Sequence, residues 1–253
     1  MEVHAHSHTA DPDSHRGRKK WSHYLWEFLM LFLAVFCGFL AENIREHTIE
    51  HQREKQFMKS MIEDLQSDTA GINSGLDLGM EQKAKMDTLI DIINNQSLTG
   101  DNITRLYLLH YSTNRVARVN FETRTSSQLK NAGGMRLIRK QKVVDAILNY
   151  WKYGETLEEI SLRIERDLDK IRDAGARIFF NKYIVVPDRP LTPPSEVKKD
   201  AKFITDDPNL FAEYSNLQYI KRGRVRNHMA IATQAKETAV QLMEIIRKEY
   251  HLE

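Results

Sequence analysis

The sequence predicts an all-α protein: one N-terminal transmembrane helix continuing into a stalk, then an elongated antiparallel helical bundle. Three observations lead there. A single apolar run, from Tyr24 to Ala41, stands out from an otherwise charged chain. Beyond it, apolar residues recur at three- and four-residue spacing almost to the C-terminus, the period of a helix with one packed face. No stretch sustains the two-residue alternation that a half-buried strand would require.

In chain order, residues 1–20 read as a disordered, His-rich, basic tail. His4, His6, His8 and His15 sit among Ala, Ser, Thr and Asp without apolar periodicity, and Arg16, Arg18, Lys19 and Lys20 close the segment. Residues 21–43 are the predicted transmembrane helix. The strictly apolar part, Phe28 to Ala41, has 14 residues, whereas a span of ~30 Å of hydrocarbon wants about 20. A signal-peptide core or a buried helix would have the shorter length. Cleavage before Glu42 needs small residues at Phe39 and Ala41, and the Phe39 ring blocks it; Ala34, Val35 and Phe36 before Cys37 do not make a lipoprotein signal either. Extended to Tyr24, the run is long enough. Glu27 then lies about one turn inside the edge, within reach of the headgroups or Lys20, and Trp21, Tyr24 and Trp26 form an interfacial belt. The reading is a retained anchor.

Cations set its orientation. The N-terminal flank is basic without acids between Arg16 and Lys20, while the C-terminal flank interleaves Arg45 and Arg53 with Glu42, Glu46 and Glu50. Positive charge stays inside, so the expected topology is a cytoplasmic N-terminus with the main domain on the other side of the membrane. The sole cysteine, Cys37, lies in the anchor, which leaves that domain without a disulfide framework.

Residues 44–253 are predicted to form one helical domain, large enough for its own core. Glu46 to Gln56 is polar and reads as a stalk. Phe57, Met58, Met61, Ile62, Leu65 and Ile72 then acquire a packed face, which Leu76, Met80, Met86, Leu89, Ile90 and Ile93 continue to Asn94 and Asn95. Gly71, Gly75 and Gly79 fall four apart. They are either a small-residue groove for close approach of a neighbouring helix or a break, since each interior glycine costs ~1 kcal/mol against alanine. Asp101 is a candidate cap for the next helix, with Ile103, Leu106 and Leu109 on its face. A connection follows from Asn114 to Phe121, then a short helix from Ser126 to Asn131 ending at Gly133-Gly134, where a left-handed cap is sterically free. Val144 to Ile178 is expected to be the longest element. Five of the six prolines fall between Pro187 and Pro208, giving an extended connection at 185–208, and a last helix carries Leu210 to Ile246.

With 37 basic and 35 acidic residues, the chain lacks the positive excess of a dedicated nucleic-acid binder. His47-Thr48-Ile49-Glu50-His51 matches the H-x-x-E-H string of inverted zinc peptidases. Its place on a polar stalk without enclosing walls or an identifiable third ligand argues against a zinc site. The His-rich tail lacks the fixed surroundings that make a metal site selective, so no metal, cofactor or catalytic residue is predicted. Eight cations between Arg115 and Lys142 (Arg115, Arg118, Arg124, Lys130, Arg136, Arg139, Lys140, Lys142) face one acid, Glu122, and Arg222, Arg224 and Arg226 follow the proline-rich connection beside Lys221. Folded together they would form a face for an anionic ligand. The alternative is a solvated surface paired with acids such as Glu155, Glu158 and Glu159, the usual fate of charge runs. Tyr150, Trp151 and Tyr153 are read as core or rim aromatics.

The chain resembles a family of uncharacterised bacterial single-pass membrane proteins with a helical extramembrane domain. The likeness rests on the basic tail, Glu27 near the start of the anchor, Glu42-Asn43-Ile44-Arg45, the segment Phe57 to Thr69, and Leu129 to Trp151 with its Lys-Asn-Ala-Gly-Gly turn. The resemblance implies topology and brings no catalytic residues. The expectation for function is a non-catalytic interaction or scaffold protein whose partners are the lipid bilayer and a protein or second copy. The alternative is a module that senses an anionic envelope component.

Overall fold

The computed structural model describes residues 16–131, 133–185 and 194–252, with side chains from residue 21 onward. It forms two compact units, one ending at Arg53 and one running from Glu54 to Glu253. Among the described residues there are five α-helices, and the protein is all-α, as the sequence predicts.

The first unit is a stretch of α1 (Arg16–Asn95), an 80-residue helix. Residues 16–20, read as part of the tail, are helical; Arg and Lys are good helix formers and extend the helix N-terminal to the apolar run. The His-rich residues 1–15 lie outside the described residues. The helix is long and apolar enough to cross a membrane, and none of its most apolar window is buried by protein. Phe28, Phe32 and Phe36 stack along one side, with ring centroids 6.3 and 5.9 Å apart. Glu27 lies 3.3 Å from His23, one turn back.

The second unit is built on a period of 3.5 residues. From Glu54, the seam of α1 reads Glu54, Met58, Met61, Leu65, Asp68, Ile72, Gly75, Gly79, Gln82, Met86 and Leu89, alternately four and three apart and all buried. Helix α4 (Gln141–Ala176) repeats the rule from Val143 through Ile147, Tyr150, Leu157, Ser161, Ile164, Leu168 and Ile171 to Gly175. Helix α5 (Pro208–Tyr250) repeats it from Phe211 through Tyr214, Gln218, Lys221, Val225, His228, Ala232, Ala235, Ala239 and Leu242 to Ile246. A strict seven-residue repeat keeps the seam facing its partners when helices coil left-handedly. The core clusters show the directions: Met58, Met61 and Leu65 pack with Val143, Ile147, Leu242 and Ile246, Ile72 with Leu157 and Ala232, Met86 with Ile164 and Val225, and Leu89 with Ile171 and Phe211. Helix α5 therefore opposes both α1 and α4.

Between α1 and α4 the chain returns through α2 (Asp101–Thr113), an extended strap at 114–123, and α3 (Arg124–Asn131). Asp101 does not cap α2. Gly100, with φ 55°, takes that position, because glycine tolerates left-handed backbone, and Asp101 becomes an acid of the first turn, favoured by the helix dipole. Gly133 is left-handed (φ 65°) after α3, as expected. Gly71, Gly75 and Gly79 lie within unbroken α1, so the break is excluded. What they admit differs from expectation: Gly71 and Gly75 face the strap at Asn120 and Val119, and only Gly79 faces a helix, at Met229 of α5. Helix α4 has 36 residues and is not the longest element, since α5 has 43 and α1 has 80. The proline-rich connection contains strands β1 (Ile184–Val185) and β2 (Glu196–Val197), antiparallel with Ile184 opposite Val197. Two residues are too few to leave a periodic signal. Asp207 caps α5, accepting from the Asn209 amide at 2.9 Å, with Pro208 in the first turn.

Candidate functional site

A cavity of about 650 Å3 lies beside the strap. One wall is the outer flank of α4, with Trp151, Gly154, Glu155, Glu158, Glu159 and Leu162. The other is made by Val119 to Thr123, Ser126 and Lys130, and Met61, Asp64, Asp68 and Tyr150 close the inner side. Phe121 meets Tyr150 edge-on with centroids 6.0 Å apart. The lining is chiefly apolar, and its rim is acidic: Glu122, Glu155, Glu158 and Glu159 against one cation, Lys130.

The strap is extended, so its backbone groups need partners from elsewhere. Buried carboxylates of α1 supply one within the strap and others in the segments that follow it. Asp68 accepts the Glu122 amide and the Tyr150 hydroxyl, each at 2.6 Å. Asp64 accepts the Thr125 amide at 3.0 Å and the Arg124 guanidinium at 2.7 Å. Glu54 accepts the Arg139 amide at 2.9 Å and the Tyr250 hydroxyl at 2.5 Å. Burial pushes the Asp68 carboxyl above its usual range, against the opposing pull of the Tyr150 and Glu122 hydrogen bonds, and it pushes the Tyr150 hydroxyl up as well.

Lower in the bundle a second polar group is enclosed. His110 Nδ1 and the Tyr214 hydroxyl lie 2.7 Å apart, and the Gln218 amide donates to Tyr214 at 2.8 Å. Lys221, fully buried, donates to the Thr113 and Arg115 carbonyls, the latter at 3.0 Å. It thereby satisfies acceptors at the C-terminal end of α2, where a cation is favoured. Desolvation, then Arg172, lowers the Lys221 ammonium to about 8, and Asp167 opposes them. His110 stacks on Phe179 with centroids 4.3 Å apart, and burial lowers its imidazole to about 4. Ser161 Oγ and His228 Nε2, both buried, lie 3.3 Å apart. Tyr214, Gln218, Lys221, Ser161 and His228 sit at seam positions, where a polar residue fixes the register of packed helices.

The cations singled out in the sequence do not converge on one face. Arg118 pairs with Glu165, Arg124 with Asp64 and Glu63, Lys130 with Glu155, Lys140 with Glu249, Arg222 with Asp87 and Arg224 with Asp167. Glu165 stands 24 residues beyond the start of α4 at Gln141, so Arg118 and Lys140 are roughly 35 Å apart along the axis. Arg222 and Arg226 share a cleft with Lys83 and Asp87, and Arg115 lines another with Arg172 and Glu165. Arg136 folds back on the Gly133 carbonyl at 3.5 Å. Arg139 contributes its amide to Glu54, and Lys142 lies exposed in the first turn of α4. Of the expected acidic partners, Glu155 takes Lys130, and Glu159 pairs within its own helix with Arg163.

His47 and His51 are exposed on α1, with His47 3.7 Å from Glu50. Among the described residues, no group of three or more His, Cys, Asp or Glu is placed to hold a metal ion. The histidines of the tail lie outside the described residues. Sequence reasoning missed the carboxylates Glu54, Asp64 and Asp68. Their signal was available for two of them, because Glu54 and Asp68 fall on the four-three spacing of the apolar seam. No family model matches this chain, and neither a curated protein nor a solved structure matches it.

Proposed function

We propose that the chain is a single-pass protein of the bacterial inner membrane, with its N-terminus in the cytoplasm and its helical domain in the periplasm. Its role is that of a non-catalytic interaction module, engaging a protein partner or a second copy. The observation that carries this reading is the character of α1. Its apolar part is fully exposed and long enough to span a bilayer, while its continuation from Glu54 supplies a core seam. An apolar surface of that extent needs lipid or protein to cover it. The enclosure of His110, Ser161 and His228 supports a structural role for the polar groups, because a nucleophile or base must reach its substrate. The alternative of an anionic-ligand face draws less support, since at least six of its eleven cations engage carboxylates.

Ser195 is exposed in the proline-rich connection. Ser195→Cys in a Cys37→Ser background should react with a membrane-impermeant maleimide on intact spheroplasts. Protection until lysis would overturn the orientation, and extraction of the chain by alkaline carbonate would overturn the anchor. Reproducible co-purification of a protein, or of a differently tagged copy, is the outcome expected for an interaction module. A chain that purifies alone after cross-linking in cells would oppose it.

A further inference from the structure

The geometry points to the aromatic cavity beside the strap as a binding site for a small organic cation, an ammonium or amine carried on a flat apolar body. This inference rests on the cavity and is independent of the anchor. At about 650 Å3 the space is that of a small-molecule site. Trp151, Phe121 and Tyr150 give it aromatic surface, and Tyr150 is fixed by its hydrogen bond to Asp68. The charge of the rim selects the sign of the ligand. Glu155 and Glu158 on α4 and Glu122 on the strap leave an excess of carboxylate over the lone ammonium of Lys130.

Lys130 displays the recognition that such a ligand would use. Its ammonium stands 4.6 Å from the Trp151 ring centroid and 3.8 Å from Glu155. A cation over an indole face beside a carboxylate is how quaternary and primary ammonium groups are held. Lys130 reaches in from an exposed position on α3, and its side chain is half-exposed, so a ligand can displace it without unpacking the core. The side chain is thus an internal competitor for the site. That assignment makes an unusual demand: removing a positive charge, with nothing added, must improve binding.

Phenethyltrimethylammonium serves as the probe, with 2-phenylethanol and phenylacetate as neutral and anionic counterparts of the same ring. Trp21, Trp26 and Trp151 are the three tryptophans, so Trp21→Phe with Trp26→Phe leaves Trp151 as the reporter in the full chain, held in an uncharged maltoside detergent. The cation should change Trp151 emission saturably and the two counterparts should not. Glu155→Gln with Glu158→Gln should weaken it roughly tenfold. Lys130→Ala should tighten it several-fold, and added salt should weaken it. Equal response to 2-phenylethanol, an affinity that Lys130→Ala leaves unchanged or lowers, or no saturable change up to about 10 mM would each overturn the assignment. Both Gln positions and Lys130 are exposed, so a helical content unchanged from the parent chain is the expected companion result. Loss of helix in Lys130→Ala would show that this side chain holds the fold, and would overturn its role as competitor.

Discussion

Replacing Gly75 with alanine tests whether the strap is packed as closely as the structure shows. A Cβ built at Gly75 stands 2.6 Å from Val119 Cγ2 and 3.4 Å from the Arg118 carbonyl oxygen. The first distance is an overlap with a β-branched side chain, which has little freedom at χ1 to move away. Overpacking of this kind costs ~1–3 kcal/mol. Alanine also returns ~1 kcal/mol of helix propensity over glycine, so the net loss is up to about 2 kcal/mol. For a domain of this size that lowers Tm by up to roughly 8 °C. The two neighbouring glycines are internal controls. At Gly71 the added Cβ meets only the Asn120 carbonyl at 3.5 Å, ordinary contact, so Gly71→Ala should stabilise by up to about 1 kcal/mol. At Gly79 it meets Met229 Cγ at 2.9 Å, on an unbranched chain that can shift, and the two effects should nearly cancel. Circular dichroism melts of the 54–253 fragment give the three values, and a Gly75→Ala/Val119→Ala double mutant should be non-additive by about 1 kcal/mol or more. If Gly75→Ala stabilised as much as Gly71→Ala, the strap would not be seated on α1 as described.

Two further perturbations probe the buried polar groups. Asp68→Asn keeps one acceptor oxygen for the Glu122 amide and turns an NH2 toward the Tyr150 hydroxyl, which must then accept, so both bonds lose their charged partner and the domain should be destabilised by about 1 kcal/mol. An unchanged urea midpoint would refute the role given to Asp68. His110, lowered by burial to about 4 from 6.5, remains neutral where the unfolded chain is protonated, so stability should fall as pH drops between those values, by up to about 3 kcal/mol. His228 is lowered by burial and acts in the same sense, whereas Asp68, raised by burial, acts oppositely toward the acid end. Urea midpoints at about pH 7 and about pH 4.5 should differ less in His110→Gln than in the parent chain; an equal difference would mean that His110 is not the group responsible.

The helices were legible because their apolar residues carry the period, and the ends at Asn95, Gly133 and Pro208 are marked by the residues that stop or start helices. The seam was only half legible. Reading apolar residues alone passes over Glu54, Asp68, Gly75, Gly79 and Gln82, although each occupies a position that the spacing of Met58, Met61, Leu65, Ile72 and Met86 demands. The strap could not be read, since an extended segment held by a carboxylate far back in the sequence has no local signature; Asp68 and Glu122 are 54 apart. The cavity is hidden for the same reason, because Phe121 and Trp151 belong to different elements. The cation run misleads in the opposite way. Neighbours in sequence such as Arg118 and Lys140 are carried to distant levels by a segment that rises more than twice as fast per residue as a helix.

The strap also governs how a protein of this design can change length. Adding one seven-residue repeat to α1, α4 and α5 would lengthen each helix by about 10.5 Å. An extended chain covers that distance in about three residues. The three helices must grow together and in sevens, or Asp68 and Glu54 would no longer stand opposite Tyr150 and Tyr250. The returning segment needs fewer than half as many residues for the same growth. Longer and shorter variants of this architecture should therefore be recognisable by matched insertions of seven, seven and seven, with about three placed between Asn114 and Thr123.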